Sequence, residues 1–157
     1  MASHYTTTRR VEFRDTDTAG IMHFSAYFTY MEQAEHEFLR HLGLSVHLRD
    51  DEGVISWPRA SAKCDYLGAA RFEDVFQIHV SVARLGEKSV TFRFRFTRDD
   101  TQLALGSITA VCCRLDPAGE PPRSIPIPTA IAQKLGQFVN AEPQRDADAT
   151  GESSPSL

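Results

Sequence analysis

Residues 13–27, FRDTDTAGIMHFSAY, set two carboxylates (Asp15 and Asp17) and a glycine (Gly20) directly before a stretch of helical periodicity. The first turn of a helix presents backbone N–H groups without intrahelical acceptors and a partial positive charge. Such a helix start suits an oxyanion developing on a carbonyl, and a carboxylate a few residues upstream can then act on the polarised carbon as base or nucleophile. These residue types in this order are a plan for acyl transfer or hydrolysis. The plain alternative for Asp17 is a turn or capping role, since aspartate is common in such loops. Asp15 reads as structural, accepting backbone or arginine hydrogen bonds.

Other groups near this loop carry weaker chemistry. His23 fits an exposed loop residue, a pocket wall or a group that orients water, because an imidazole titrates near neutrality. Glu32, Glu35 and His36 share a helical stretch, but neither a His-Glu-x-x-His nor a Glu-x-x-His pattern accompanies them, and no second ligand cluster stands elsewhere. No metal site is expected. Glu35 and His36 read as interface or surface residues. Cys64, Cys112 and Cys113 lack the spacing of a disulfide framework or of a C-x-x-C site and read as small buried or half-buried side chains.

The elements that must position the loop follow from periodicity. Val11 and Phe13 alternate with charged neighbours, giving a first strand over residues 5–13. Tyr27, Met31, Ala34, Phe38 and Leu42 then repeat at 4, 3, 4 and 4 residues, widened by Phe24, Phe28 and Leu39, which is the apolar stripe of a helix. Ser25 is placed to cap it and Gly43 to end it. Strands are expected over 57–65, 75–84, 89–98 and 103–115. The turn between the second and third of these holds Gly86, a residue free to adopt positive φ. Phe92, Phe94 and Phe96 form a period-2 core stripe, and Arg93 and Arg95 lie on the opposite, solvated face. A proline-rich link leads to a short helix at about 129–138. One long helix and an antiparallel sheet make an α+β fold, the sheet wrapped around the helix.

A chain of 157 residues with 41% hydrophobic and 24% charged content and a formal charge of −4 is a single soluble-type domain with no basic stripe for nucleic acid. No apolar run is long enough for a membrane span, and the first ten residues have no signal-peptide apolar core. A cytoplasmic location is expected. The domain is expected to occupy residues 1–139. Residues 140–157 hold almost no large apolar side chains, carry four acids and one base, and are expected to be a disordered acidic and polar tail.

Asp15-Thr16-Asp17-x-x-Gly20-Ile21, Tyr27, Glu32 and Phe38-Leu39-Arg40-x-x-Gly43 resemble the hotdog-fold acyl-CoA thioesterases, nearest the 4-hydroxybenzoyl-CoA thioesterase branch. Cys64-Asp65-Tyr66-Leu67, Arg71-Phe72-Glu73-Asp74 and Ala83-Arg84-Leu85-Gly86-x-x-Ser89 extend the likeness over residues 5–138. The resemblance implies that Asp17 is catalytic, that the backbone N–H of Phe24 polarises the thioester carbonyl, and that Gly20 turns the loop beside the substrate. It implies a homodimer, paired again into a homotetramer, with sites between subunits. Glu32 would then face the neighbouring subunit's site, and Arg84 and Lys88 would meet the CoA phosphates. Phe24, Tyr27, Phe28, Trp57 and Pro58, with His23 near them, would line the acyl pocket. The chain departs from the common pattern at His23-Phe24, where many members place the histidine one residue later.

The activity so implied is hydrolysis of an aromatic or short- to medium-chain acyl-CoA to free acid and CoA, with no cofactor. Two alternatives stay open. One is a hydratase or dehydratase of acyl thioesters using His23 with Glu32 or Glu35. The other is a non-catalytic acyl-CoA-binding protein, for which a transcriptional role would need a DNA-binding helix-turn-helix that the sequence lacks.

Overall fold

The computed structural model describes residues 3–140; of the expected tail, residues 141–157 lie outside the described residues. β1 (Tyr5–Arg10) is followed by a 3-10 turn (Phe13–Asp15) and by α1 (Ala26–His41). Next come β2 (Leu48–Asp50), β3 (Gly53–Ser56), β4 (Arg59–Tyr66), β5 (Val75–Leu85), β6 (Ser89–Arg98) and β7 (Thr101–Val111). β8 (Cys113–Arg114), β9 (Arg123–Ser124) and α2 (Thr129–Gly136) close the order. A five-stranded antiparallel sheet runs β1-β5-β6-β7-β4, and a small second sheet runs β2-β3-β8-β9. The fold is the expected α+β arrangement.

The long helix forms where the period-3.6 stripe predicted it. Tyr27, Tyr30, Met31, Ala34, Phe38 and Leu39 are buried, and each large apolar side chain so removed from water contributes roughly 1.5–3 kcal/mol. Gly43, at φ +71°, lets the chain leave the helix while Leu44 N–H returns to Leu39 C=O at 2.8 Å. α1 lies on the inward face of the main sheet, where Val80 pairs with Phe94 and Phe94 with Gly106. A Cβ on Gly106 would overlap the Met31 side chain, so this glycine is what lets the helix approach. Phe38 meets Phe92 and Phe138 edge to face. All three phenylalanines of the β6 stripe are buried.

Three local expectations change. β1 stops at Arg10 because its partner β5 begins at Val75, so the ladder runs out; Phe13 stands in the 3-10 turn and is exposed. The expected strand 103–115 breaks at Cys112. Val111 pairs with Ser89, the first residue of β6, and Cys113 then pairs with Ser56 in the small sheet. Gly86 is not at positive φ; its value lies in size, since a Cβ there would sit 3.1 Å from Ser89 Oγ. The main-chain groups of Val82 bond to Phe138 and Asn140 beside the β5 bulge, so pairing with β5 reaches Asn140.

Candidate active site

The loop before α1 is a small hairpin held by main-chain bonds. Thr16 and Met22 form an antiparallel bridge, Asp17 N–H donates to Ile21 C=O (3.0 Å), and Gly20 N–H donates to Asp17 C=O (2.9 Å). The turn closes because Gly20 adopts φ +74°, a conformation that costs a side-chain-bearing residue about 1–2 kcal/mol. His23 N–H to Asp15 C=O (2.7 Å) and Met22 N–H to Ala70 C=O (2.7 Å) fix the hairpin to its base and to the segment before β5. Asp17 and the start of α1 are therefore parts of one rigid unit.

Within it the two aspartates differ. Asp15 Oδ2 accepts the Tyr30 hydroxyl at 2.9 Å. Burial and this carboxylate push the Tyr30 hydroxyl up to about 12. Asp15 thus ties the loop to α1, in keeping with a structural part, although its donor is a tyrosine. Asp17 Oδ1 accepts Ala19 N–H at 2.8 Å, and its other oxygen makes no hydrogen bond among the described residues. Asp17 lines an open hollow of about 520 Å³ together with Phe13, Arg14, Thr16, Thr18, Gly20 and Phe72.

Ser25 occupies the N-cap position, but its hydroxyl does not cap the helix. It lies 2.7 Å from His23 Nδ1, and Ser25 N–H points to the same nitrogen at 3.3 Å, so the imidazole takes over the end of the helix. The His23 ring also packs on Phe24, centroids 4.5 Å apart. Phe24 C=O accepts the Tyr66 hydroxyl at 2.8 Å, while Phe24 N–H meets no acceptor among the described residues. A fixed carbonyl and an unpaired N–H on one residue at a helix start is the arrangement an oxyanion donor requires.

The remaining site expectations fall elsewhere. Tyr27 is buried, edge-on to Tyr66 and Phe96. Trp57 precedes β4 and lines a small cavity of about 10 Å³ with Glu35, Leu39, Leu44, Val90 and Leu135, a space of about one water. Arg84 stands near the far end of β5 and Lys88 in the turn after it, beyond roughly 30 Å of strand from Val75 at about 3.4 Å per residue.

Glu35 corrects its reading as interface or surface. It is 1% exposed, with Oε1 accepting Arg59 Nη1 at 2.9 Å and Oε2 buried without a partner among the described residues. Burial outweighs Arg59 and holds its carboxyl above the usual range. Exposed Glu32 lies 3.8 Å from the same guanidinium, and burial lowers the His36 imidazole. Sequence reasoning missed Phe13 and Phe72 as neighbours of Asp17. Their one signal was an aromatic four residues before Asp17, which alternation with Val11 assigned to a strand.

The chain belongs to the thioesterase-like superfamily, whose model matches residues 11–135, and its fold is the hotdog fold of those enzymes. It is 29% identical over 118 residues to the acyl-CoA thioester hydrolase YbgC of Escherichia coli, covering 74% of this chain and 86% of that one. It is 27% identical over 111 residues to the 4-hydroxybenzoyl-CoA thioesterase of Pseudomonas sp., covering 67% and 79%. The crystal structure of TT1821 from Thermus thermophilus superposes with a TM-score of 0.73 at 29% identity, covering 85% of this chain and 98% of the other.

Proposed function

We propose that the protein hydrolyses an acyl-CoA thioester, with an aromatic or short- to medium-chain acyl group, to the free acid and CoA. The observation that carries this reading is that Asp17, which lines the hollow, and a Phe24 N–H without an acceptor among the described residues stand on one short segment, tied together by the His23 N–H to Asp15 C=O bond. The thioester oxygen sits on Phe24 N–H, where the helix end stabilises negative charge in the tetrahedral intermediate; loss of one such donor typically costs ~3–4 kcal/mol of barrier. Asp17 either takes a proton from the attacking water or attacks the carbonyl carbon itself. In the first route the C–S bond breaks as the intermediate collapses, and the thiolate takes up a proton. In the second, CoA leaves first and water then cleaves the mixed anhydride.

Two features support a homodimer as the working unit, with a tetramer as a further pairing. β4 is an edge strand of the main sheet whose outer rim pairs with no other strand among the described residues. If Arg84 and Lys88 meet the CoA phosphates, their place beyond roughly 30 Å of strand from the start of β5 suits phosphates held by a second copy. The hydratase alternative has little support in the geometry. His23 is engaged with Ser25, and Glu32 and Glu35 both turn to Arg59.

The test is thiol release from a panel of aromatic, short, medium and long acyl-CoAs. Asp17→Asn lowers kcat by ~10² or more, with KM and melting temperature close to wild type because asparagine keeps the oxygen that accepts Ala19 N–H. Near-wild-type turnover in that variant would overturn the assignment.

A further inference from the structure

Phe13 and Phe72 are the least explained apolar side chains of the molecule. They are 74% and 48% exposed, yet they touch each other edge to face, with centroids 5.6 Å apart and planes at 83°. Both line the hollow that contains Asp17. Two large aromatics held together with much of their surface exposed beside a carboxylate form an apolar patch of the kind that marks binding surfaces. Their arrangement is selective. A right-angled pair offers the face of one ring and the edge of the other, so a flat ring entering the corner can stack on one and meet the second edge to face. Aromatic contacts of this kind contribute beyond the area they bury, whereas a flexible chain gains only the area.

The charges around the corner suit the same visitor. Arg14 lines the hollow, and Arg71 Nη1 lies 3.7 Å from where a Gly20 Cβ would be. Two guanidinium groups thus lie by the hairpin, Arg14 within 4.0 Å of Asp15 and Arg71 with no acidic side chain on its guanidinium among the described residues. The mouth favours a molecule that is flat and apolar at one end and anionic at the other.

We propose that Phe13 and Phe72 form an aromatic clamp that seats the acyl group against Asp17 and sets a preference for ring over chain acyl groups. This rests on the hydrolase reading above and names the acyl class it leaves open. The experiment compares kcat/KM for benzoyl-CoA and hexanoyl-CoA in wild type, Phe13→Leu, Phe72→Leu and the double variant, with melting temperature and light-scattering mass recorded for each. Leucine keeps apolar bulk and removes the ring. Wild type is expected to favour benzoyl-CoA, and the benzoyl/hexanoyl ratio to fall about tenfold in the double variant, near the upper end of what one ring contact adds, with mass and melting temperature unchanged. An unchanged ratio, or equal losses on both substrates, overturns the clamp while leaving the hydrolase reading intact. Equal losses with a change of mass assign the two rings to a subunit contact instead. A wild-type protein that releases thiol from no ester overturns the hydrolase reading itself.

Discussion

Asp17 and Glu35 are carboxylates flanking the same helix, and the fold treats them in opposite ways. Asp17 sits on a hairpin outside α1, one oxygen held by Ala19 N–H, and lines an open hollow. Glu35 sits in the middle of α1, buried, anchored by Arg59 and facing a space of about one water. The first is positioned by main-chain bonds of the hairpin and by Ala19 N–H on one of its oxygens, beside an open space. The second is positioned by an ion pair that uses one of its oxygens and leaves the other with no partner. Access decides the chemistry: a carboxylate acts on a substrate where an electrophile can reach it, and a buried one acts on stability.

The contrast can be broken most forcefully at Arg59. Arg59→Ala leaves Glu35 buried without its counter-charge, and losing one partner of such a pair costs about 3–5 kcal/mol. Both influences that hold the Glu35 pKa down, the Arg59 charge and its hydrogen bond, vanish together, so the carboxyl escapes part of the cost by taking up a proton. Urea unfolding should therefore show a large loss at pH 8 and a smaller one at pH 5. A loss that does not depend on pH would mean that Glu35 is not the group responding.

A smaller effect sharpens the same point. Because burial raises the Glu35 pKa in the folded state, the native protein binds more protons than the unfolded chain once the pH passes the ordinary value of 4.5. Stability from this group thus falls as pH rises through the window between the two pKa values, and is level above it. Glu35→Gln has no proton to lose. Its melting temperature relative to wild type should rise with pH across that window and be level above it. A relative melting temperature that falls as pH rises would contradict the buried assignment. Thioester hydrolysis should respond far less to this substitution than to any change at Asp17.

The two regions were also unequally legible in the sequence. The Asp17 hairpin is local: its aspartates, its glycine and the helix stripe lie within a few turns of chain, so spacing alone ordered them. α1 and the central strands were plain for the same reason, since Met31, Ala34 and Phe38 repeat with the helix and Phe92, Phe94 and Phe96 with the strand. Glu35 was not legible, because its burial depends on Arg59, 24 positions away on another element. An acid on a helix with no neighbouring base reads as solvated. The small sheet escaped as well. Strands of two to four residues such as Leu48–Asp50 are too short to display alternation, and they exist because β8 and β9 arrive beside them. Phe13 was misplaced since alternation cannot show where a partner strand runs out.

The direct test of the central claim is the structure of the Asp17→Asn protein bound to an acyl-CoA that wild type hydrolyses. The account predicts the thioester oxygen ~3 Å from Phe24 N, with the side chain at position 17 against the carbonyl carbon or one water from it. A thioester seated at the Trp57 cavity, or one that leaves Phe24 N–H unpaired, would contradict it.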